Sequence, residues 1–330
     1  QDMIQLPIRF GFHEYFDSHS GIGYGSPGFS WTAALFIDLV SEYYDKDKTR
    51  LTWLKQRGFN GLGKKEVLNR SSEPGRKSSE DVSSRLMSSI GDLKERFYDI
   101  NRGRIDYAAM KASSEYVDYQ KTAEMLQYFD PATLSSSSQK KAFWITLYNT
   151  IVVHGIVELG IVSSVREVPN FFTSVAYQVG KFTFTADEIE HGILRANARP
   201  PYNPFHSFKK NDPRRKLGLQ DMDPRIHFAL VCGSRSCPPI RYYDAAHIDA
   251  QLDMAARNFI NSSEVIVLPE QNKIFLSPIF DWYKKDFGGK DRIFDYLLKY
   301  LNEDKESEYL RQNMNRIKIE YLFYDWNLNH

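Results

Sequence analysis

The sequence predicts an α+β fold, because helical and strand patterns are mixed and the strands pair mainly with their neighbours in the chain. An apolar segment over residues 141–159 predicts a helix that is buried on nearly all sides. Residues 174–184 and 264–277 alternate around short turns, which predicts two β-hairpins. No internal repeat is present. We therefore expect a mixed domain with a central buried helix and a small, largely antiparallel sheet.

The remaining elements follow from periodicity and from the residues that end each pattern. Helices are predicted at residues 29–44, 86–97, 107–129, 187–195 and 244–261. The apolar run RIHFALVC, residues 225–232, lies between a proline and a glycine and predicts a central strand. The last strand is predicted in RIKIEYLFY, residues 316–324.

Composition limits the class of protein. With 330 residues, of which 42% are hydrophobic and 14% aromatic, the chain is long enough for two domains. The net charge of +1 supplies no extended field, so we expect neither nucleic acid nor a membrane as a partner. Only two cysteines are present, which is compatible with a reducing compartment and predicts a cytoplasmic location. The chain opens with Gln1 rather than Met, so its start is interpreted as a cut edge.

A change in composition predicts the domain organisation. Residues 70–89 are rich in serine and charge and poor in apolar side chains, which is typical of a flexible linker. We therefore predict one domain over residues 1–69 and a second over residues 90–330. In the second domain, residues 90–139 form a helical lead-in.

The loop GFHEYFDSHSGIGYGSPGFSWTAAL, residues 11–35, has the residue types of a carbohydrate site. Its glycines permit tight folding around a ligand, and Tyr15 and Trp31 offer flat faces on which a sugar ring can stack. Glu14 is the candidate general base. The alternative is a glycine-rich turn with a solvated glutamate.

Residues 5–45 resemble the C-terminal part of inverting glycosidases with an (α/α)6 toroid, the group that contains trehalase, processing α-glucosidase and mannosylglycerate hydrolase. The resemblance implies that residues 1–69 are a helical fragment, the tail of such a toroid. It also implies that Glu14 is the general base and that Trp31 is the aromatic residue of the family's F-[SG]-W-T pattern. Inversion needs a second carboxyl group as general acid, which normally comes from another part of the barrel.

A second resemblance covers residues 140–329. The strings AFWITLYNTIVVHGI, DEIEHGILR, DPRIHFALVCGSRSCPPIR, IFDWYKKDFGG and YDWNLN occur in the order found in the family called domain of unknown function 547. Membership implies a portable domain whose function is not established. Because such domains occur fused to other modules, the resemblance also implies a protein partner.

The two cysteines flank a loop that favours an anion. Gly233 and Ser234 allow a tight turn with exposed N–H groups, and Arg235 adds a guanidinium. Such surroundings stabilise a thiolate, so we predict Cys237 as the nucleophile and Cys232 as a binding residue. Three alternatives remain open: buried structural cysteines, a redox thiol pair and metal ligands. Since no C-x-x-C or H-x-x-x-H spacing is present, we predict neither a metal nor a cofactor.

Further polar residues are expected around these thiols. His191 and His227 are candidates for general base, and Asp281 for the carboxylate that orients a histidine. Predicted binding residues are Glu188 and Arg195, which share a helical face with His191, and Asn149 on the buried helix, where a papain-like enzyme would have its cysteine.

Three interpretations of function follow. The first is a thiol and histidine pocket in the second domain that acts on a small anionic or carbohydrate ligand. The second is a non-catalytic interaction module with structural cysteines. The third is part of an inverting α-glycosidase that acts on a small glucoside or a mannosylglycerate-like substrate.

Overall fold

The computed structural model describes residues 15–16, 23–24, 65–70, 82–99, 103–241, 243–289 and 292–330. The chain divides into two compact units, residues 1–60 and 61–330. In the first unit, the described residues form an antiparallel pair of short strands, β1 (Tyr15–Phe16) and β2 (Gly23–Tyr24). The helix predicted at residues 29–44 lies outside the described residues.

The second unit has an α+β fold, as predicted. Its helices are α1 (Val82–Phe97), α2 (Tyr107–Lys111), α3 (Ser114–Met125), α4 (Ser137–Glu158), α5 (Phe171–Ser174), a π-helix (Glu188–Leu194), α6 (Ile248–Ile260), α7 (Ile279–Trp282), α8 (Ile293–Tyr300) and α9 (Lys305–Asn313). Its strands are β3 (Glu66–Val67), β4 (Tyr98–Asp99), β5 (Arg104–Ile105), β6 (Val175–Val179), β7 (Phe182–Thr185), β8 (Val265–Leu268), β9 (Lys273–Leu276) and β10 (Lys318–Tyr321).

Both predicted hairpins form, and each gains a third strand. The β6–β7 and β8–β9 pairs are antiparallel, whereas β3 joins β6 and β10 joins β9 in parallel register. The described strands therefore make two three-stranded sheets and a small β4–β5 pair. Since β3 is at residues 66–67 and α1 begins at Val82, parts of the predicted first domain and of the predicted linker contribute elements to the second unit.

Helix α4 is the predicted buried helix. Ser136 and Gln139 form a capping box that fixes its first turn. Most of its side chains are buried, among them Trp144, whose indole packs edge-on against Phe143 and Phe184. In the described part of the chain, no helix is both long and apolar enough to cross a membrane.

The predicted central strand over residues 225–232 is wrong. Residues Pro224–Phe228 form a 3₁₀ turn instead. Asp223 caps this turn, because its carboxylate accepts a hydrogen bond from the backbone N–H of Arg225, and Pro224 supplies a φ angle suited to the first turn position. The turn directs Phe228 into an apolar cluster with Phe259 and Phe280, while His227 lines a cavity.

Candidate functional site

A cavity of about 430 Å³ in the second unit brings together many of the predicted polar residues. Its polar wall consists of Arg166, Asp187, Glu190, His191, His227, Cys232 and Cys237. Its aromatic wall consists of Tyr148, Phe172, Tyr202, Trp282, Tyr283, Tyr324 and Trp326. A concave, largely aromatic surface with a few convergent polar groups is typical of a small-molecule site.

Asn149 on helix α4 holds the backbone that leads to the first thiol. Its amide nitrogen donates to the Ala229 carbonyl at 3.0 Å, and its amide oxygen accepts from the Val231 N–H at 2.9 Å. These two bonds satisfy backbone groups that a sheet would otherwise pair, which explains why the apolar run is not a strand. Asn149, predicted as a binding residue, therefore positions the segment before Cys232 and is itself buried.

The two thiols are free and lie against each other. Cys237 Sγ accepts a hydrogen bond from the Cys232 N–H at 2.7 Å. Cys232 Sγ lies 3.0 Å from the Ser234 hydroxyl and 3.1 Å from the Tyr324 hydroxyl. Burial alone would raise the pKa of Cys232, but hydrogen bonds from Cys237, Ser234 and Tyr324 lower it to about 6.

Cys237 is the weaker acid of the pair. Burial, together with the hydrogen bond and the charge of Cys232, raises the pKa of Cys237 well above its usual value. Arg235, which was expected beside it, is about half exposed and lies 4.0 Å from the Asp325 carboxylate. Arg235 faces a second groove, which Cys237 also lines, whereas Arg166 lines the cavity itself.

A chain of ionic contacts holds His227. Its Nε2 lies 2.9 Å from the Asp286 carboxylate, which also accepts hydrogen bonds from Arg195 Nε at 2.6 Å and Nη2 at 3.0 Å. Arg195 Nη1 continues to His191 Nδ1 at 2.9 Å. Although burial opposes ionisation of Asp286, His227 and Arg195 lower its pKa to about 2. Burial lowers the pKa of His191 to about 4, so His191 is neutral at pH 7.

The Tyr283 ring stacks on the face of the His227 imidazole. The His227 and Tyr283 rings stack at 3.9 Å between centroids, and the Tyr283 hydroxyl donates to Glu190 at 2.6 Å. Burial of Glu190 is outweighed by His191 and by this hydrogen bond, so the pKa of Glu190 is lowered. The imidazole of His227 is thus fixed in position and orientation by its neighbours.

Several predicted residues lie away from the cavity. Asp281 is half-exposed and pairs with Lys284 at 3.4 Å, so Asp286 rather than Asp281 contacts His227. Glu188 pairs with Lys65 and Arg214 and does not line the cavity. Asp286 occurs in the same sequence string as Asp281, IFDWYKKDFGG, and that string is the part of the sequence from which Asp286 could have been chosen.

The residues predicted in the first unit have no described site. Tyr15 begins β1, and Glu14 and Trp31 lie outside the described residues. In the described part of the chain, no group of three or more His, Cys, Asp or Glu side chains is arranged to hold a metal ion.

Residues 131–260 match the family described as "Protein of unknown function, DUF547". This match confirms the second resemblance over that range, which includes helix α4, the π-helix, His227 and both thiols. Over 40 residues, the chain is also 62% identical to a mannosylglycerate hydrolase of Rubrobacter radiotolerans, a segment that is 12% of this chain. The chain covers 9% of the length of that hydrolase. No solved structure matches the chain.

Proposed function

We propose that the second unit is a cysteine-dependent hydrolase, with Cys232 as nucleophile and His227, held by Asp286, as general acid and base. The observation that carries this proposal is the convergence of hydrogen-bond donors on one sulfur in a cavity that also contains a carboxylate-bound imidazole. A thiolate is the reactive form of cysteine, and donors around it make that form available at neutral pH.

The proposed reaction is acyl transfer to water. The Cys232 thiolate attacks the carbonyl carbon of an amide or ester, and the leaving amine or alcohol takes a proton from His227. A thioester with Cys232 remains. His227 then removes a proton from water, the resulting hydroxide attacks the thioester, and the thiolate is released with a carboxylic acid product. Because Asp286 holds Nε2 of His227, these proton transfers use Nδ1.

Cys232 is favoured over Cys237 for physical reasons. Ser234 and Tyr324 approach Cys232 Sγ, and Arg166 is close enough for its charge to interact with that thiolate. The single thiol proton of Cys237 goes either to the Leu230 carbonyl, at 3.7 Å, or to Cys232, and it is the hydrogen bond to Cys232 that lowers the pKa of the Cys232 thiol. In this arrangement Cys237 is a positioning residue that stabilises the neighbouring thiolate.

We expect the rate at which iodoacetamide alkylates Cys232 to rise through about pH 6 and to be close to its plateau at pH 7. The reason is that a pKa of about 6 leaves only a small fraction of Cys232 protonated at pH 7. Mass spectrometry of peptides after timed labelling from pH 4.5 to 9 measures the rate at each cysteine. Tyr324→Phe removes one donor and should shift the midpoint upward.

The Cys232→Ser variant is the control. It retains Cys237, whose pKa burial still raises after the charge of Cys232 is removed, so we expect slow labelling of Cys237 at pH 7. The proposal is wrong if Cys237 is the faster thiol in the wild-type protein, or if Cys232 labels only above pH 8. Turnover of p-nitrophenyl acetate should be absent in Cys232→Ser and reduced by about 10²-fold or more in His227→Ala.

The non-catalytic alternative makes a different prediction. An interaction module with structural cysteines needs no thiolate, so its thiols would label slowly at pH 7 and Cys232→Ser would change stability without changing any turnover.

The location in the cytoplasm stays a prediction from the small number of cysteines.

For the first unit, we infer a segment related to inverting glycosidases, in line with the 62% identity over 40 residues to a mannosylglycerate hydrolase. The division into units 1–60 and 61–330 is compatible with such a segment joined to an independent domain. Because inversion requires two carboxyl groups about 6.5–9.5 Å apart, we expect this chain alone to release no hexose from mannosylglycerate or trehalose. Release that is lost in Glu14→Gln would contradict this expectation.

A further inference from the structure

Asp187 presents to the cavity a carboxylate that has no donor among the described residues. Its side chain is only 12% exposed and lies in the cavity wall. The His191 ring lies nearby, with Nε2 at 3.7 Å from a carboxylate oxygen, and among the described residues no donor is within hydrogen-bonding distance of those oxygens. A carboxylate that is largely withdrawn from water and has no protein donor is poorly solvated, so this position favours a ligand that brings a donor.

The surroundings of Asp187 favour a cationic donor. Burial and the charges of Glu190 and Glu188 raise the pKa of Asp187 to about 7. His191 does not compensate, because burial keeps it neutral at pH 7. A ligand ammonium beside Asp187 would stabilise the ionised carboxylate and would also be attracted by Glu190.

Arg166 presents the opposite charge in a different part of the wall. Its guanidinium lies 4.2 Å from the Trp326 ring centroid. No carboxylate pairs with that guanidinium in the part of the chain that the structure describes. The groups whose charges act on Arg166 are Cys232 and Tyr324, whereas those acting on Asp187 come from the π-helix region and Lys65. A planar guanidinium stacked on an aromatic ring keeps its N–H edge for a carboxylate.

We propose that the cavity binds a zwitterionic short peptide, with its ammonium at Asp187 and its carboxylate at Arg166. This inference rests on the proposed hydrolase site and names its substrate class. The volume of about 430 Å³ is within the range of small-ligand pockets, and the aromatic wall accommodates an apolar side chain.

The test uses three probes on the full chain: alanylalanine, N-acetyl-alanylalanine and alanylalanine amide. Each is titrated into the protein by calorimetry and, in parallel, as a protectant against iodoacetamide labelling of Cys232. We expect the free dipeptide to bind at least tenfold more tightly than either blocked form. A tenfold ratio corresponds to about 1.4 kcal/mol.

Variants assign each end of the ligand. In Asp187→Asn, the affinity difference between free and N-acetylated peptide should disappear, while the difference caused by amidation remains. In Arg166→Gln, the effect of amidation should disappear and that of acetylation should remain. Asp118→Asn and Arg96→Gln are matched controls, because both residues are exposed and lie outside the cavity wall.

Two outcomes overturn the inference: equal binding of all three probes, or loss of every probe to the same degree in either cavity variant. The proposed function fails separately. If Cys232 is unreactive at pH 7 but calorimetry reproduces the pattern of the three probes, the zwitterion site stands without a hydrolase. If Cys232 reacts as expected and no probe binds, the hydrolase stands with another substrate class.

Discussion

Asp286→Asn is expected to destabilise the second unit by about 3–5 kcal/mol, the typical cost of removing one partner from a buried ionic pair. Asp286 is 6% exposed and is the common acceptor for Arg195 and His227. An amide supplies one acceptor oxygen and no charge, so the Arg195 guanidinium would remain buried with its charge uncompensated. Urea denaturation followed by circular dichroism measures the change in the free energy of unfolding.

Asp281→Asn is the matched control for this prediction. Asp281 is 45% exposed, and its contact with Lys284 is an i,i+3 surface pair. Such pairs typically contribute about 0–1 kcal/mol, so we expect a change in the free energy of unfolding below about 0.5 kcal/mol. Equal destabilisation by the two substitutions would contradict the assignment of Asp286 as the carboxylate that holds the network.

The same pair of aspartates illustrates what the sequence can and cannot predict about the site. Both residues occur in one short string after strand β9, and periodicity gives no means to choose between them. The choice depends on the short helix α7 and the turn after it, which leave Asp281 at the surface and direct Asp286 to Arg195. The local pattern therefore predicted Asp281, whereas the carboxylate of the same segment that contacts His227 is Asp286.

The fold was predictable where one pattern dominates a segment. The apolar run of α4 and the alternation in both hairpins are local signals, and the corresponding elements form as expected. The apolar run over residues 225–232 also resembled a buried strand, but its backbone is bonded to the Asn149 side chain on a distant helix. A sequence pattern does not reveal a tertiary contact of this kind.

The thiol pair shows the same limit. The glycine, serine and arginine after Cys232 suggested an anion-favouring turn around Cys237, and the turn does carry a donor in Ser234. A further donor, Tyr324, is 92 residues away in the chain. Tertiary structure thus adds a donor that the local sequence does not show, and of the two sulfurs it is Cys232 whose pKa is lowered.

Gly233→Ala is expected to destabilise the second unit by about 2–5 kcal/mol and to slow alkylation of Cys232. Gly233 has a φ of +80°, and an added Cβ would lie 2.5 Å from Cδ1 of Ile156, a fully buried residue of α4. A left-handed backbone costs an L-residue about 1–2 kcal/mol, and overpacking in a core adds about 1–3 kcal/mol. The turn carries Ser234 against Cys232, so its displacement should also raise the midpoint of the alkylation profile.

Gly289→Ala separates the two causes of this loss of stability, which are backbone strain and overpacking. Gly289 has a φ of +88°, but an added Cβ there would have no atom within 4 Å among the described residues, so it reports backbone strain alone. We expect Gly289→Ala to lower the free energy of unfolding by about 1–2 kcal/mol and to leave labelling of Cys232 unchanged. The excess cost of Gly233→Ala then measures the packing of the turn against Ile156. If urea denaturation gives the same value for both variants, Ile156 yields to the new methyl group, and α4 does not fix the thiol turn as tightly as its contacts indicate.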